Sequence, residues 1–559
     1  MKKLTTLSAT AALMLVSFAD AQATANPSAD NSTRKLVSVS NFGDFMGQAK
    51  DDQLTAQRRY LYNKDLQLTA VIEVAAGLDN NELTTQYYNP YIYDEQGRLV
   101  KMDRYQYGLY EYGERVMHQA AGVVEFVYDE AGNCVQRIED QTVISYEYDA
   151  EGNCIKEVTT TSGKEGKTLL YSDFSAGRNK PALVVSSHTQ PSYTGEFYEE
   201  TREYDAEGNL VLAQRLCNRD YVEDYGLWAI TTAAGDFMQE EHWTYENGHV
   251  SLYEKFNSID EETGELQPYL KTVYTEKDAN TIGQQSYTAF GNEWYKSGVY
   301  QEEAYFDFAG MTDNTAVELV KADKSAYETN GVILMFTSAA IADTDESTAY
   351  NVYRNGDLIY AATPGDGLVG MMGADMEIED HDVPSGQYEY IIQTVTSTGS
   401  YCVSNRLGID MTMELPAATN LRAIESVKDK NDYNYVTVAF DVPQAPAEYG
   451  FISNELLIGN NQIGEESSKD PSVNRLHCTL ADDTGTVSIL TRYKFGRAVS
   501  ERVTIDVNNL SSIEEVRALG DEQMQIFDLN GHQVVAPLES LHGQYIILSG
   551  KTAYKVILK

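Results

Sequence analysis

The chain has 559 residues and a formal net charge of −43, with 85 acidic against 42 basic side chains. Such a surface repels phosphate backbones and anionic lipid headgroups, which excludes nucleic acid as an electrostatic partner. Tyrosine is the most abundant aromatic residue, with 40 copies against 16 phenylalanines and 3 tryptophans. Because tyrosine favours strands and half-buried surfaces, we expect an all-β chain, and its length suggests three to five domains.

The N-terminal 23 residues combine two lysines, an apolar run and the small-residue sequence Ala21-Gln22-Ala23. This pattern predicts a signal peptide over residues 1–23, followed by a linker or extension over 24–59. No later apolar run approaches the roughly 20 residues that a membrane-spanning helix needs. We therefore expect an exported protein without a transmembrane segment.

A hairpin pattern recurs along residues 60–310. Its copies are YIYDEQGRLV (91–100), FVYDEAGNCV (126–135), YEYDAEGNCI (146–155), REYDAEGNLV (202–211) and the shorter WTYENGHVSL (243–252), with a degenerate copy at 60–74. In four copies a glycine follows three residues after the aspartate, which favours a type I turn whose glycine forms a G1 bulge. The tyrosine then pairs with the residue six positions later, as Tyr128 with Cys134.

These residues resemble the YD-repeat (Rhs-type) family, whose signature is Tyr-Asp-x-x-Gly-[Arg/Asn]-Leu. The matching positions are Tyr93, Asp94, Gly97, Tyr128, Asp129, Gly132, Tyr148, Asp149, Gly152, Tyr204, Asp205 and Gly208. The resemblance implies framework residues, not catalysts. Since the copies are few and irregularly spaced, we expect a curved antiparallel sheet rather than a closed shell.

Cys134 and Cys154 occupy the same position in adjacent copies. If the hairpins stack in register, an oxidising compartment permits a disulfide between them. The alternative is that each thiol fills the leucine position as a small buried hydrophobe. The chain has five cysteines and no Cys-x-x-Cys, so a zinc ribbon or a thioredoxin-type site has no support.

The second half resembles fibronectin type III-like sandwiches over residues 320–412 and 415–508. Both have a phenylalanine, Phe336 or Phe440, where an early-strand tryptophan is common. The first has a hairpin around Asn355-Gly356, and its Tyr388 is placed like the tyrosine of a tyrosine corner.

The tail, residues 511–559, is predicted to form four short strands. It resembles the C-terminal sorting domain of type IX secretion cargo. The matching residues are Phe527, Asp528, Gly531, Gly543, Tyr545, Lys555 and Lys559. The resemblance implies recognition by an outer-membrane secretion machinery and a location outside the cell or on the outer-membrane surface.

Motifs that carry chemistry are sparse. His242 and His249 lie beside Glu240 and Glu241 without the His-Glu-x-x-His spacing of a catalytic zinc site, and there is no nucleophile elbow, Walker loop or dinucleotide fingerprint. We therefore predict no catalytic and no cofactor-binding residue. One acidic cluster offers oxygen ligands suited to Ca²⁺ but lacks the EF-hand spacing, which leaves a metal site open. It comprises Asp375, Glu377, Glu379, Asp380 and Asp382.

The sequence therefore predicts a secreted or cell-surface, multi-module binding or adhesion protein, exported by a type IX route. We expect it to bind glycan or protein through a tyrosine-rich β-surface. Three alternatives stay open. A secreted hydrolase would need carboxylates that converge in one cleft, a toxin carrier would need a toxic C-terminal domain, and a structural envelope protein would have no specific ligand.

Overall fold

The computed structural model describes residues 33–43, 50, 52–76, 82–111, 114–119, 122–189, 196–224, 229–260, 262–291, 293–343, 347–362, 375–396, 399–428, 433–459, 466–507, 524–536, 541–549 and 552–558. Strands dominate this part, which confirms the all-β class. Its helical content is one short helix, α1 (Thr312–Thr315), and 3-10 turns at Ala340–Asp343 and Ala447–Tyr449. The predicted signal peptide lies outside the described residues. Within them, no helix has the length and apolarity to cross a bilayer.

One large antiparallel sheet occupies residues 34–307. Its strands, with the separate hairpin β16–β17, are β1 (Arg34–Phe42), β2 (Leu54–Tyr62), β3 (Leu68–Ala76), β4 (Leu83–Tyr93), β5 (Leu99–Met102), β6 (Tyr105–Glu111), β7 (Glu114–Gln119), β8 (Val124–Tyr128), β9 (Cys134–Glu139), β10 (Thr142–Tyr148), β11 (Cys154–Thr161), β12 (Lys164–Ser172), β13 (Leu183–His188), β14 (Tyr198–Tyr204), β15 (Leu210–Cys217), β16 (Tyr221–Asp224), β17 (Ala229–Thr232), β18 (Phe237–Glu246), β19 (His249–Ile259), β20 (Leu266–Asp278), β21 (Thr281–Phe290) and β22 (Glu293–Asp307). Most neighbours in the sheet are neighbours in sequence.

The sheet closes on itself, because β22 pairs with β1 as well as with β21. Ser38 of β1 lies opposite Ala304 of β22, while Arg59 of β2 pairs with Ser38 on the other side. The expected curved antiparallel sheet is therefore present, but it closes into a ring, contrary to the expectation drawn from the few, irregularly spaced copies. The prediction of a linker or extension over residues 24–59 is also wrong in part, because this segment contains β1 and the first residues of β2. Closure removes the unpaired edges that an open sheet would expose.

The predicted register of the repeated hairpins is confirmed. Tyr93 pairs with Leu99, Tyr128 with Cys134, Tyr148 with Cys154 and Tyr204 with Leu210, each beside a register shift. The four turn glycines have positive φ angles of 75–86°. At Asp129, the carboxylate accepts hydrogen bonds from the backbone N–H and the side-chain amide of Asn133. The turns predicted from the sequence, with an aspartate bonded across the turn and a glycine at positive φ, are therefore present in the structure.

The motif tyrosines link successive hairpins. The Tyr148 hydroxyl donates to the Cys134 carbonyl at 2.7 Å, and the Tyr128 hydroxyl donates to the Leu99 carbonyl at 2.7 Å. Equivalent bonds join Tyr62 to Leu36, Tyr93 to Leu68, Tyr204 to Pro181 and Tyr245 to Leu210. Apart from Leu36, each accepting carbonyl lies at or just before the start of the strand that follows the preceding turn. The repeated tyrosine therefore ties each turn to the one before it.

The described residues include all five cysteines, and none of them forms a disulfide. Cys134 begins β9 and Cys154 begins β11, with β10 between them. Two strand spacings amount to about 9–10 Å, beyond the roughly 7 Å that a disulfide allows between Cα atoms. The possible Cys134–Cys154 bridge is therefore absent, and both residues are free thiols, with Cys134 buried and Cys154 half-buried.

We expect alkylation to detect every thiol. Burial raises the pKa of Cys134 and of Cys154 to about 11, so both stay protonated and unreactive in the folded protein at pH 8. Iodoacetamide added in denaturant without reductant should attach to all five cysteines, as counted by mass spectrometry. A mass with two labels fewer until reductant is added would contradict the structure.

Two sandwiches follow the closed sheet. Module 1 contains β23 (Leu319–Lys324), β24 (Val332–Thr337), β25 (Ala349–Arg354), β26 (Asp357–Ala362), β27 (Asp375–Asp380), β28 (Gln387–Thr396), β29 (Gly399–Val403) and β30 (Leu407–Asp410). Module 2 contains β31 (Thr419–Lys428), β32 (Asn434–Asp441), β33 (Phe451–Ile458), β34 (Glu466–Ser468), β35 (Arg475–Leu480), β36 (Thr484–Tyr493), β37 (Gly496–Val499) and β38 (Val503–Asp506).

The two modules share one strand order. The first, second and fifth strands form one sheet in each. The fourth, third, sixth and seventh strands form the other in that order, and the eighth strand also pairs with the sixth. This order is that of a fibronectin type III-like sandwich. Phe336 and Phe440 are fully buried in the two cores, in the tryptophan position. Tyr388 is only half-buried, and the fully buried tyrosine of β28 is Tyr390, whose hydroxyl donates to Asp380 at 2.7 Å.

Module 1 packs against the closed sheet. The shared apolar cluster joins Leu61, Ala70, Ile72, Val74, Tyr88 and Tyr107 of the closed sheet to Tyr353, Ile391 and Val403 of module 1. The Tyr88 hydroxyl donates to Glu389 at 2.5 Å, and the Tyr107 hydroxyl donates to the Asn355 carbonyl at 2.9 Å. Module 1 therefore shares a packed interface with the closed sheet.

The tail forms a small sheet of β39 (Met524–Asp528), β40 (Gln533–Val534), β41 (Gly543–Ser549) and β42 (Thr552–Leu558), in the order β40-β39-β41-β42. Asp528 and Gly531 form the same turn as the repeats, with the Asp528 N–H bonded to the His532 carbonyl at 2.8 Å. Gly543 and Tyr545 lie on β41 and Lys555 on β42, whereas Lys559 lies outside the described residues.

Candidate binding surface

The closed sheet has two chemically different faces. Strand alternation places the motif tyrosines on one face around the ring, together with ion pairs such as Arg58–Glu73 at 3.1 Å. The opposite face carries the contact with module 1 and exposed side chains such as Val127 and Leu170. Because module 1 packs outside the ring, the motif tyrosines line its inner face.

The inner face is crowded and its polar groups are engaged. Burial raises the pKa of Tyr128 to about 12, and the same cause raises the pKa of Tyr148 further. Their hydroxyls donate hydrogen bonds to the backbone carbonyls of Leu99 and Cys134. The motif tyrosines of 91–252 are thus placed as structural residues, and their rings are not exposed platforms for a ligand.

Glu200 is the most buried carboxylate of this inner face, with a side chain 2% exposed. Arg202 Nε lies 2.6 Å from its Oε1, and Arg215 Nε donates to its Oε2. Burial alone would raise the pKa of Glu200, but the two guanidinium groups outweigh it and the pKa is lowered. The Arg215 guanidinium also lies 4.6 Å from the ring centroid of Tyr198. This network links the neighbouring strands β14 and β15 on the inner face.

Exposed aromatic side chains concentrate elsewhere, at the end of the β21–β22 hairpin. Phe290 is 79% exposed and Tyr295 is 54% exposed, and their rings pack edge to face with centroids 6.4 Å apart. The Tyr295 hydroxyl donates to Glu293 at 3.0 Å. We name the set Tyr269, Tyr287, Phe290, Trp294 and Tyr295 the aromatic tip.

A lysine organises the other face of the aromatic tip. The Nζ of Lys271 lies 4.4 Å from the ring centroid of Trp294 and 5.4 Å from that of Tyr287. These cation–π contacts hold two rings side by side on the open end of β20, β21 and β22. Tyr269, 45% exposed, lies two residues before Lys271 on the same face. The tip therefore presents aromatic rings on both sides of a hairpin.

The histidine and glutamate group of the sequence is divided between the two faces. Glu240 Oε1 lies 2.7 Å from His242 Nε2, whereas Glu241 contacts Lys255 and Tyr253 on the inner face. His249 Nε2 lies 3.2 Å from an Arg34 nitrogen. These residues do not converge on one point, so they do not form the zinc set of a hydrolase.

The acidic cluster at 375–382 is also divided. Asp380 bonds to Arg354 at 2.9 Å and to Tyr390, and Asp382 lies 2.5 Å from Lys494 of module 2. Asp375, Glu377 and Glu379 lie on β27, and Glu379 is near His381 and Glu328. Glu379, Asp380 and Asp382 therefore have different partners and do not surround one Ca²⁺ ion.

One polar concavity lies on the inner face, near the turn of the fifth hairpin copy. Its volume is about 190 Å³, and its walls include Glu246, His249, Tyr274 and Glu276. Glu246 and Glu276 are the two carboxylates of this concavity, and an enzyme that used it would need them as its general acid and base.

Comparison with known proteins gives only distant likenesses. No protein-family model and no curated protein matches the chain. Among solved structures it is similar to the FN1–FN3 domains of chicken CNTN1, at 8% identity and a TM-score of 0.18 over 42% of this chain and 96% of that one. It is also similar to the central fibronectin-III array of RIM-binding protein, at 13% identity and a TM-score of 0.13 over 42% and 78%. The assignment of the modules stands on their strand order.

Proposed function

We propose that this is an exported, multi-domain binding protein that recognises a carbohydrate through the aromatic tip. The observation that carries the proposal is the exposure of Phe290 and Tyr295 at the end of a hairpin supported by a closed sheet. Rigid aromatic side chains lose little conformational entropy on binding, which suits them to contact roles. The closed sheet and module 1 form the scaffold.

A sugar suits the aromatic tip better than a protein partner. The exposed rings are flanked by hydrogen-bonding groups, including Glu293 and Lys296, which match the hydroxyl groups around the apolar face of a sugar ring. A stable protein interface buries about 1,200–2,000 Å² in total, which is a larger area than the end of one hairpin offers. Protein binding is therefore the second outcome of the experiment below.

The route of export rests on the two sequence resemblances. A signal peptide over 1–23 and a type IX sorting domain over 511–559 would deliver the protein to the cell surface or beyond. The tail's four-strand sheet and its Asp528–Gly531 turn are compatible with that role. The YD-repeat resemblance is supported by the confirmed turn register, and its members build large sheets from the same hairpin.

The aromatic tip can be tested with a glycan array. We expect the mature protein to bind a defined set of glycans, and the double variant Phe290→Ala/Tyr295→Ala to bind them about tenfold or more weakly, because each exposed ring contributes on the order of 1 kcal/mol. Isothermal titration with the best glycan gives the ratio.

Tyr327→Ala is the matched control, since Tyr327 is 88% exposed but lies on module 1. It should bind like the unaltered protein. Equal losses in both variants, or undiminished binding by the double variant, would contradict the role of the tip. Pulldown of one surface protein without glycan binding would favour a protein partner.

The hydrolase alternative has one specific location, the concavity near Glu246 and Glu276. Turnover of a glycan library that Glu276→Gln abolishes, while the tip variant keeps it, would favour an enzyme. Without turnover and without binding, the structural envelope reading would remain.

A further inference from the structure

Three potential metal ligands meet at one end of module 1. Glu328 lies in the turn between β23 and β24, Glu379 lies on β27, and His381 follows β27. Their ligand atoms lie within 4.8 Å of one another, and His381 Nδ1 is 2.9 Å from Glu328 Oε2. The pairing of Ile333 with Glu379 brings the turn and β27 together.

Two features of this cluster indicate that it accommodates a further group. Glu379 Oε1 is buried and has no hydrogen-bond partner among the described residues. A buried carboxylate oxygen without a partner is costly, and a bound ion or water is the usual explanation. Beneath it, a Cβ at Gly331 would lie 3.1 Å from that oxygen and 3.3 Å from the Glu328 Cβ, so glycine keeps this space open.

We propose that Glu328, Glu379 and His381 bind a divalent transition metal of the zinc class. One imidazole nitrogen with two carboxylate oxygens is a donor set suited to Zn²⁺, whereas Ca²⁺ takes six to eight oxygen ligands. Water would complete a four-coordinate shell. Of the acidic residues singled out in the sequence, only Glu379 belongs to this set.

The metal would join two segments of module 1. The turn at 325–331 and the end of β27 are held together by the Val383 N–H, which donates to the Asn330 carbonyl at 2.8 Å. The Asn330 side-chain amide also donates to the Val383 carbonyl, and a cation bridging Glu328 and Glu379 would add a further link at the same end. Metal binding should therefore raise the free energy of unfolding of module 1.

The chain contains a matched control for this site. His477 Nδ1 lies 3.0 Å from Glu466 Oε2 on module 2, with side chains 38% and 40% exposed. The His381–Glu328 pair has a similar Nδ1–Oε2 distance of 2.9 Å, at 58% and 41% exposure. No third ligand joins the His477 pair within the described part of the chain. The two pairs therefore differ in Glu379.

Isothermal titration of the untagged full chain with ZnCl₂, after removal of metal with EDTA, tests the proposal. We expect one site in the unaltered protein, an affinity about tenfold or more weaker in His381→Asn and in Glu379→Gln, and no change in His477→Asn. Zinc should also raise the melting temperature, except in His381→Asn.

His381 is exposed, so its replacement should leave the fold intact, and circular dichroism checks this. The proposal is overturned if the unaltered protein takes up no zinc, or if His381→Asn and His477→Asn lose the same affinity. Titration with CaCl₂ separates the metal classes. Tight Ca²⁺ binding that His381→Asn leaves unchanged would also overturn it.

Discussion

Replacing Glu200 with alanine is expected to lower the free energy of unfolding by about 3 kcal/mol. The change removes a buried carboxylate and leaves the guanidinium groups of Arg202 and Arg215 facing each other without their anion. Breaking a buried ion pair in this way costs about 3–5 kcal/mol, and we take the lower end because the two arginines are 28% and 32% exposed. Urea unfolding measures the difference.

Glu199→Ala is the control for this change. Glu199 is the neighbouring residue on the exposed face of β14, and its replacement should alter stability by no more than about 0.5 kcal/mol. A similar loss in both variants would contradict the assignment of the two faces.

The same ion pairs predict a pH dependence. The pKa of Glu200 is lowered in the folded protein, so its contribution is present above the pKa of the unfolded chain and is lost as pH falls through the folded value. The difference in stability between Glu200→Ala and the unaltered protein should therefore shrink in acid. A difference that is constant from neutral pH to pH 3 would contradict this.

Replacing Tyr88 with alanine should separate module 1 from the closed sheet. Tyr88 is 2% exposed, its ring lies against Gly356, and its hydroxyl bonds to Glu389 across the interface. Truncation of a buried aromatic side chain costs about 3–5 kcal/mol, part of it as a cavity at the contact. We expect one calorimetric transition to become two, as the domains lose their coupling.

The control is Tyr360→Ala, which removes a tyrosine of module 1 that is 38% exposed. It should leave the calorimetric profile close to that of the unaltered protein. If Tyr88→Ala also leaves one transition at an unchanged temperature, the interface contributes little, and module 1 is only a spacer.

The hairpins could be predicted because their determinants are local. In Tyr128–Cys134 the aspartate, the asparagine and the glycine specify the turn within seven residues, and the turn sets the register. Closure depends on the pairing of Val39 with Glu303, two residues far apart in the chain and outside any motif copy. The irregular strands between the copies complete the ring, and their pattern carries no signature.

The motif tyrosines were expected to form an exposed surface, and this prediction was wrong for a related reason. The repeated tyrosines are numerous, but alternation turns them to the inner face, where Tyr148 donates to a neighbouring carbonyl. The aromatic tip has a weaker sequence pattern than the repeated tyrosines. Phe290 precedes Gly291-Asn292, and Trp294 and Tyr295 follow them, in a single copy. Nothing in the sequence indicates that Glu328 lies near Glu379, because only the pairing of β24 with β27 brings the two residues together.

A designed cross-link tests the closed sheet most directly. Ser38 and Ala304 lie opposite each other where β22 meets β1, so the double variant Ser38→Cys/Ala304→Cys should form a disulfide on mild oxidation. The control pair Ser38→Cys/Thr201→Cys places its thiols on strands that are not neighbours in the ring. This pair should not form a disulfide. Peptide mapping identifies the bond. Formation of the first bond alone is the result that the closed sheet predicts, and its absence under conditions that oxidise a model dithiol would mean that the sheet is open.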